Sequence, residues 1–225
     1  MQLFKNYHEG SNWPPAHKPE SPRKSEKPKP ANMIDLDDAP VNQKLSDSII
    51  ARRSSKSINQ DQTLNKRDLG TFLKWSIGCL ETEKDRRTYP SAGSLYPNRF
   101  FVEVKQVPSL GAGLYEYLPE HHALTQVSEN VDIESALVQP DIDFNFCVVV
   151  AADFDYAIDQ YGERGYRFCL LEAGHMVQNM MLVAAAMDKA IAPIGGFKDK
   201  IVNQDVLPDK KSLSALYLVP VGQEI

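Results

Sequence analysis

Seven consecutive residues, Ala51-Arg52-Arg53-Ser54-Ser55-Lys56-Ser57, gather three cations and three hydroxyls. A guanidinium is a planar fork of donors that fits phosphate oxygens, and serine hydroxyls add short neutral donors beside it. The stretch can hold a phosphate if the fold aims it inward; otherwise it is a solvated basic patch at a helix end. A second stretch, Thr88-Tyr89-Pro90-Ser91-Ala92-Gly93-Ser94-Leu95-Tyr96-Pro97-Asn98, offers a different property. The small residues Ser91, Ala92, Gly93 and Ser94 let a flat ligand approach the backbone, and glycine reaches angles that other residues avoid. Ile194-Gly195-Gly196 is a second place where backbone can meet a ring. Each is an ordinary turn when taken alone. Together, a phosphate clamp and a bed for a flat ring point to a flavin.

Other chemistry is poorly represented. There is no GxSxG nucleophile motif and no phosphate-binding P-loop. His121 and His122 fall in a turn and are expected to be exposed. His175 lies one turn from Glu172 and reads as a hydrogen-bonded core histidine, with a metal ligand or base as the alternative. Asp153, Asp155 and Asp159 lack the glycine and distal glutamate of a calcium loop, so no metal is expected.

The elements that must position these residues can be read from pattern. A short helix precedes the Arg pair, and residues 64–80 form a second helix with Leu69, Phe72 and Leu73 on its core face and Asn65 or Thr63 as cap. Residues 100–104 form a strand; 113–117 and 123–127 form a hairpin. Residues 144–152 are continuously apolar, as in a strand buried on both faces. Residues 163–187 are apolar on most sides, which predicts a central buried helix. Residues 215–221 form a last strand. Helices flanking a mixed sheet give an α+β class.

A chain of 225 residues with a net charge of −5 is one domain, or one domain with an arm, and is a poor candidate for a large nucleic-acid footprint. Three cysteines, without metal spacing, suit a reducing, cytoplasmic setting. No stretch suggests a membrane span. Residues 1–41 differ in kind, with prolines set among lysines and arginines. They are expected to be extended, either as an arm wrapping a partner subunit or as a free tail. Residues 42–225 are the folded domain.

Several strings occur in order: Arg52-Arg53-Ser54-Ser55-Lys56, Pro90-Ser91-Ala92-Gly93-Ser94-Leu95-Tyr96-Pro97, Leu170-Leu171-Glu172-Ala173-Gly174-His175, Pro193-Ile194-Gly195-Gly196-Phe197 and Val219-Pro220-Val221-Gly222. In this respect the chain resembles the SagB-type dehydrogenases of the nitroreductase-like flavoproteins. The resemblance implies an α+β flavoprotein that binds FMN, usually a homodimer with sites at the subunit interface. Hydride would move between a carbon of a modified peptide or small heterocycle and flavin N5. It implies that Arg52 holds the FMN phosphate, that Arg53, Ser54 and Lys56 contact the ribityl chain and pyrimidine edge, and that Ser91, Ala92, Gly93 and Ser94 line the cofactor. Gly195 and Gly196 would pack near the ring. Azoline dehydrogenases of this family carry a Lys-Tyr pair before the long helix; here it is Gln160-Tyr161. A phenol beside a neutral amide is a better proton donor than base, so Tyr161 is the candidate catalytic acid, or else a packing residue. The alternatives are an NAD(P)H-dependent nitro or quinone reductase, and a catalytically silent scaffold in a peptide-modifying complex.

Overall fold

The computed structural model describes residue 6 and residues 32–41, 44–80, 86–208 and 213–224. Most of the expected arm lies outside the described residues. Its described end, 32–41, is extended and runs along the domain. There β1 (Ile34–Asp35) pairs with the hairpin, Leu36 is buried, and the Trp75 indole N–H donates to Ala39 O at 2.9 Å.

Among the described residues eight strands form one sheet in the order β1, β5 (Ala123–Ser128), β4 (Gly113–Leu118), β3 (Asn98–Val104), β6 (Phe146–Asp153), β8 (Leu213–Glu224), β2 (Ile58–Asn59), with β7 (Ala190–Ile191) also on β8. Every ladder is antiparallel, where a mixed sheet was expected; the one parallel contact among the described residues is the bridge between Ile58 and Ile142. β3 and β6 lie in the middle and are covered on both faces, so neither shows alternation. Phe100, Val102, Phe146, Val148 and Val150 point to one core, and Phe101, Cys147, Val149 and Ala151 to another.

The first core is closed by α2 (Lys66–Ile77) and α4 (Arg164–Ala186). α2 begins at a capping box: Asn65 accepts from Arg67 and Asp68 N–H, and Asp68 returns a bond to Asn65 N–H. Short α3 (Phe154–Tyr161), capped by Asp153 accepting from Tyr156 N–H at 3.0 Å, leads from β6 to α4. The second core is closed by the segments around Ile133 and Leu137 and by a helical turn at Asp199–Ile201 that continues as a π-helix over Val202–Val206.

α4 is not buried all round. Cys169, Ala173, Met176, Met180 and Ala184 face the core, whereas Leu170, Leu171, Gly174, His175 and Gln178 face outward. It is the one helix among the described residues that is long and apolar enough to cross a membrane by length and composition, but its packing on the sheet and α2 marks it as a core helix. His175, expected as a core histidine, is therefore on the surface. His122 differs in the opposite sense: it is half-buried, with Nδ1 3.0 Å from the Tyr117 hydroxyl and Nε2 3.6 Å from Asp38, because the end of the arm covers its turn.

Candidate functional site

The Arg-Arg-Ser-Ser stretch follows α1 (Leu45–Ala51), with the Arg52 N–H donating to Ser48 O at 2.9 Å. The chain then turns inward. Ser55 is buried and its N–H donates to Ile191 O at 2.9 Å, which docks the loop on β7. Immediately afterwards β2 pairs with the end of β8. That crossing is close: a Cβ at Gly222 would lie 2.3 Å from Asn59 O, so a side chain there would push β2 away.

Between loop, α4, β7 and β8 lies a cleft of about 220 Å³, lined by Arg53, Ser55, Met181, Lys189 and Glu224 among others. Its cations are largely engaged. Arg53 Nε donates to Glu224 Oε2 at 2.9 Å, a second guanidinium nitrogen contacts the same carboxylate, and the Ser55 hydroxyl lies near it. The Arg53 hydrogen bond holds the Glu224 carboxyl below the usual carboxylate range. Lys189 Nζ sits 2.5 Å from Asp61 Oδ2. Burial alone would raise the Asp61 pKa, but the bonds from Lys189 and Thr63 prevail and hold it at about 2. Among the described residues neither Arg52 nor Lys56 meets a carboxylate; Arg52 Nη1 approaches Met181 Sδ at 3.7 Å. Ser54 and Lys56 are exposed. The inward serine is thus Ser55, which the sequence reading passed over in favour of Ser54.

The 88–98 loop is held in an unusual shape. Gly93, Ser94 and Tyr96 have φ of 55°, 55° and 51°. Two non-glycine residues in the left-handed region persist only where surroundings over-determine them. Here Tyr96 N–H donates to Ser91 Oγ at 2.9 Å, Tyr161 O–H to Ala92 O at 3.0 Å, and Asn179 Nδ2 to Thr88 O at 2.9 Å. Arg87 donates to the Tyr89 hydroxyl at 2.8 Å and lies 4.5 Å over the Tyr96 ring. Beneath the loop, buried Glu172 accepts from Asn98 Nδ2 at 3.1 Å and lies near Ser91; burial pushes its pKa up. Gly93 is required twice, by its positive φ and because a Cβ would stand 2.2 Å from the Tyr161 hydroxyl oxygen.

The structure therefore brings Tyr161 together with Ser91, Ala92, Gly93 and Ser94. Burial raises the Tyr161 pKa, which keeps the phenol protonated at neutral pH. Its ring stands edge-on to Phe168 at 5.0 Å. Gly195 and Gly196 are exposed beyond Ile194, which pairs with Leu218; a Cβ at Gly195 would meet only the Tyr217 ring at 3.7 Å, and one at Gly196 nothing within 4 Å. The arginine cleft and the loop remain apart within one chain. The cleft lies at Met181 and the loop at Glu172, and between these residues α4 rises about 14 Å. Glu172, Asn98 and Glu224 were missed as site residues from sequence. The first carried a signal, as a carboxylate in an apolar helix; the other two did not.

The comparison with known proteins agrees with this architecture. The nitroreductase family model matches residues 49–223. A Methanocaldococcus jannaschii protein assigned to the nitroreductases is 32% identical over 187 residues, covering 81% of this chain and 92% of its own. The microcin B17-processing protein McbC of Escherichia coli is 30% identical over 169 residues, 68% of this chain; the chain spans 61% of McbC's length. In the E. coli microcin synthetase McbBCD complex with truncated pro-MccB17 bound, one chain superposes with a TM-score of 0.68 and 25% identity, covering 100% of this chain and 92% of that one. An Exiguobacterium sibiricum structure described as a nitroreductase in complex with FMN shares the fold at a TM-score of 0.54 and 15% identity, over 81% of this chain and 89% of that one. The chain belongs to the nitroreductase family of oxidoreductases.

Proposed function

We propose that the chain is an FMN-dependent oxidoreductase of SagB type, active as a cytoplasmic homodimer on a modified peptide or small heterocycle. The observation that carries this reading is that two features flank the exposed face of α4. On one flank, at Met181, is an anion cleft with Arg52 beside it, and on the other, at Glu172, a strained loop of small residues. The donor set fits FMN: cations and a hydroxyl for its phosphate, and Ser91–Ser94 with Gly195 and Gly196 for a flat ring. The cleft alone does not hold it, since 220 Å³ falls below the roughly 300–1,000 Å³ of sites for ligands of this size. A second copy supplies the missing wall. Leu170 and Leu171 on α4, and Ile49 and Ile50 on the helix that leads into the arginine loop, are all exposed, Ile50 at 83%, and offer apolar surface for that contact.

Bound FMN would supply a reversible two-electron acceptor for a hydride from a substrate carbon. The chain's own residues do the rest. Arg52, with Arg53 and Lys56 near it, would anchor the phosphate, and the exposed Ser54 would contact the ribityl chain. Ser91 and Ala92, pinned by Glu172 and Tyr161, fix the ring-bearing loop. In the reducing direction, where substrate takes up a hydride and a proton together, Tyr161, protonated and donating to Ala92 O in this structure, is the acid that would turn from that bond to give the proton.

Similarity to McbC and to the synthetase chain that has pro-MccB17 bound in its complex supports a peptide substrate. The absence of a lysine before Tyr161 argues against simple azoline oxidation. A second reading, an NAD(P)H-dependent nitro or quinone reductase, is favoured by the relative assigned to the nitroreductases. The visible spectrum of purified protein, followed by identification of what denaturation releases, tests the cofactor. A colourless protein that cannot be loaded with FMN would refute the proposal. Stopped-flow mixing with NADH or NADPH separates the two readings: rapid flavin bleaching selects the reductase.

A further inference from the structure

A carboxylate of the chain itself occupies donors of the anion cleft. Glu224 ends β8, where its backbone pairs with Ile58. Ile58 follows the Arg-Ser loop by three residues, so this register sets Glu224 beside it. Glu224 Oε1 and Oε2 lie 3.2 and 2.9 Å from Arg53 Nε, a second Arg53 nitrogen donates as well, and the buried Ser55 hydroxyl is close enough to help keep the carboxylate ionised. A fork and a hydroxyl around one anion is the donor set that a phosphate would use. Asp188 adds a further negative charge to the cleft wall. The Glu224 and Arg53 side chains are 35% and 67% exposed, and a pair so open to water is weak and readily exchanged.

We infer that Glu224 is an affinity-setting residue, an internal competitor that holds Arg53 and Ser55 until the phosphate of an incoming flavin displaces it. Arg52 and Lys56 are then the cations a phosphate meets first. The inference rests on the FMN reading and adds a discriminating consequence. A carboxylate that contends with phosphate weakens FMN binding and leaves riboflavin binding alone.

The test is dilution of flavin-loaded protein, with released flavin read by its fluorescence, for the wild type and Glu224→Gln, each loaded with FMN or riboflavin. The expected result is FMN held roughly 3- to 10-fold more tightly by the Gln variant at low salt, the usual reach of one exposed charge. The gain should shrink at high salt, and riboflavin affinity should be equal in the two proteins. Equal melting temperatures would confirm that the variant is folded. FMN affinity that is unchanged or weaker in Glu224→Gln overturns the inference and makes Glu224 a tether that presents Arg53. A shift shared equally by riboflavin overturns it also. A wild type that takes up neither flavin overturns the flavin reading, and this inference with it.

Discussion

Glu103 offers a sharp test of the fold's electrostatics. It sits in β3 among Phe101, Val102 and Val104, 3% exposed, and accepts one backbone bond from Ile133 N–H at 3.1 Å. Burial outweighs that bond and the nearby Lys105, and pushes its pKa up to about 7. The unfolded carboxyl releases its proton near pH 4.5, whereas the folded one keeps it to about 7. Within that window the native state binds more protons, so stability falls as pH rises. At 1.36 kcal/mol per unit, the loss across the window is about 3 kcal/mol. Glu103→Gln keeps an acceptor for Ile133 N–H and cannot ionise. Urea denaturation at fixed protein concentration from pH 4.5 to 8 measures the difference between variant and wild type, which removes groups common to both. The variant should match wild type within about 1 kcal/mol at pH 4.5 and exceed it by about 2–3 kcal/mol at pH 8. A difference that does not change with pH would refute the account of Glu103 as a buried, proton-holding carboxyl.

Further outcomes follow from the site. Arg52→Ala should fold yet lose FMN on dialysis, since a charge-assisted phosphate contact is worth about 2–5 kcal/mol, or 30- to several-thousand-fold in affinity; full flavin retention would remove Arg52 from the clamp. Tyr161→Phe should lower single-turnover rates roughly 10²–10⁴-fold with flavin still bound, and wild-type rates would reduce Tyr161 to a prop for Ala92. Gly93→Ala forces a side chain into a left-handed position and against the Tyr161 hydroxyl; it should cost at least about 1–2 kcal/mol in urea denaturation, a loss that a neutral result would contradict. If the proposed homodimer forms over this surface, the wild type should sediment as a dimer and Ile50→Asp as a monomer with weaker FMN binding at micromolar concentration; a variant dimer would place the interface elsewhere, and a monomeric wild type would refute the assembly.

The elements were legible where burial leaves a compositional mark. Residues 144–152 read as a central strand because apolar side chains fill both faces, and of the two caps the sequence offers, Asn65 and Thr63, it is Asn65 that starts α2. Details that depend on which way adjacent residues turn were not legible. Ser54 and Ser55 are chemically identical, and only the bond from Ser55 N–H to Ile191 O decides that Ser55 points inward. Glu172 and His175 were expected on one face. Three residues along a helix leave about 60° between them, enough to bury the first and expose the second. The partner of Arg53 comes from 171 residues away, through the pairing of β2 with β8. No local pattern carries that information.

The outward face of α4 shows why apolar content misled. Leu170 and Leu171 look like core in a helix this hydrophobic, yet the sheet and α2 already cover the opposite side. Apolar surface left on a helix can stay in water or be covered, and composition cannot say whether the cover is the same chain or another. Here the exposed strip runs between the arginine cleft and the pinned loop. If a second copy covers that strip, each ligand site gains its missing wall from the same contact that hides the leucines. Assembly and cofactor binding are then linked, because a ligand held only by the dimer stabilises the dimer by mass action. The linkage has a sign that can be measured: added FMN should lower the concentration at which the protein dissociates, and dilution should release FMN cooperatively with loss of the dimer. FMN release that is indifferent to assembly would mean that one chain completes the site alone, with the loop and the cleft each serving a different ligand.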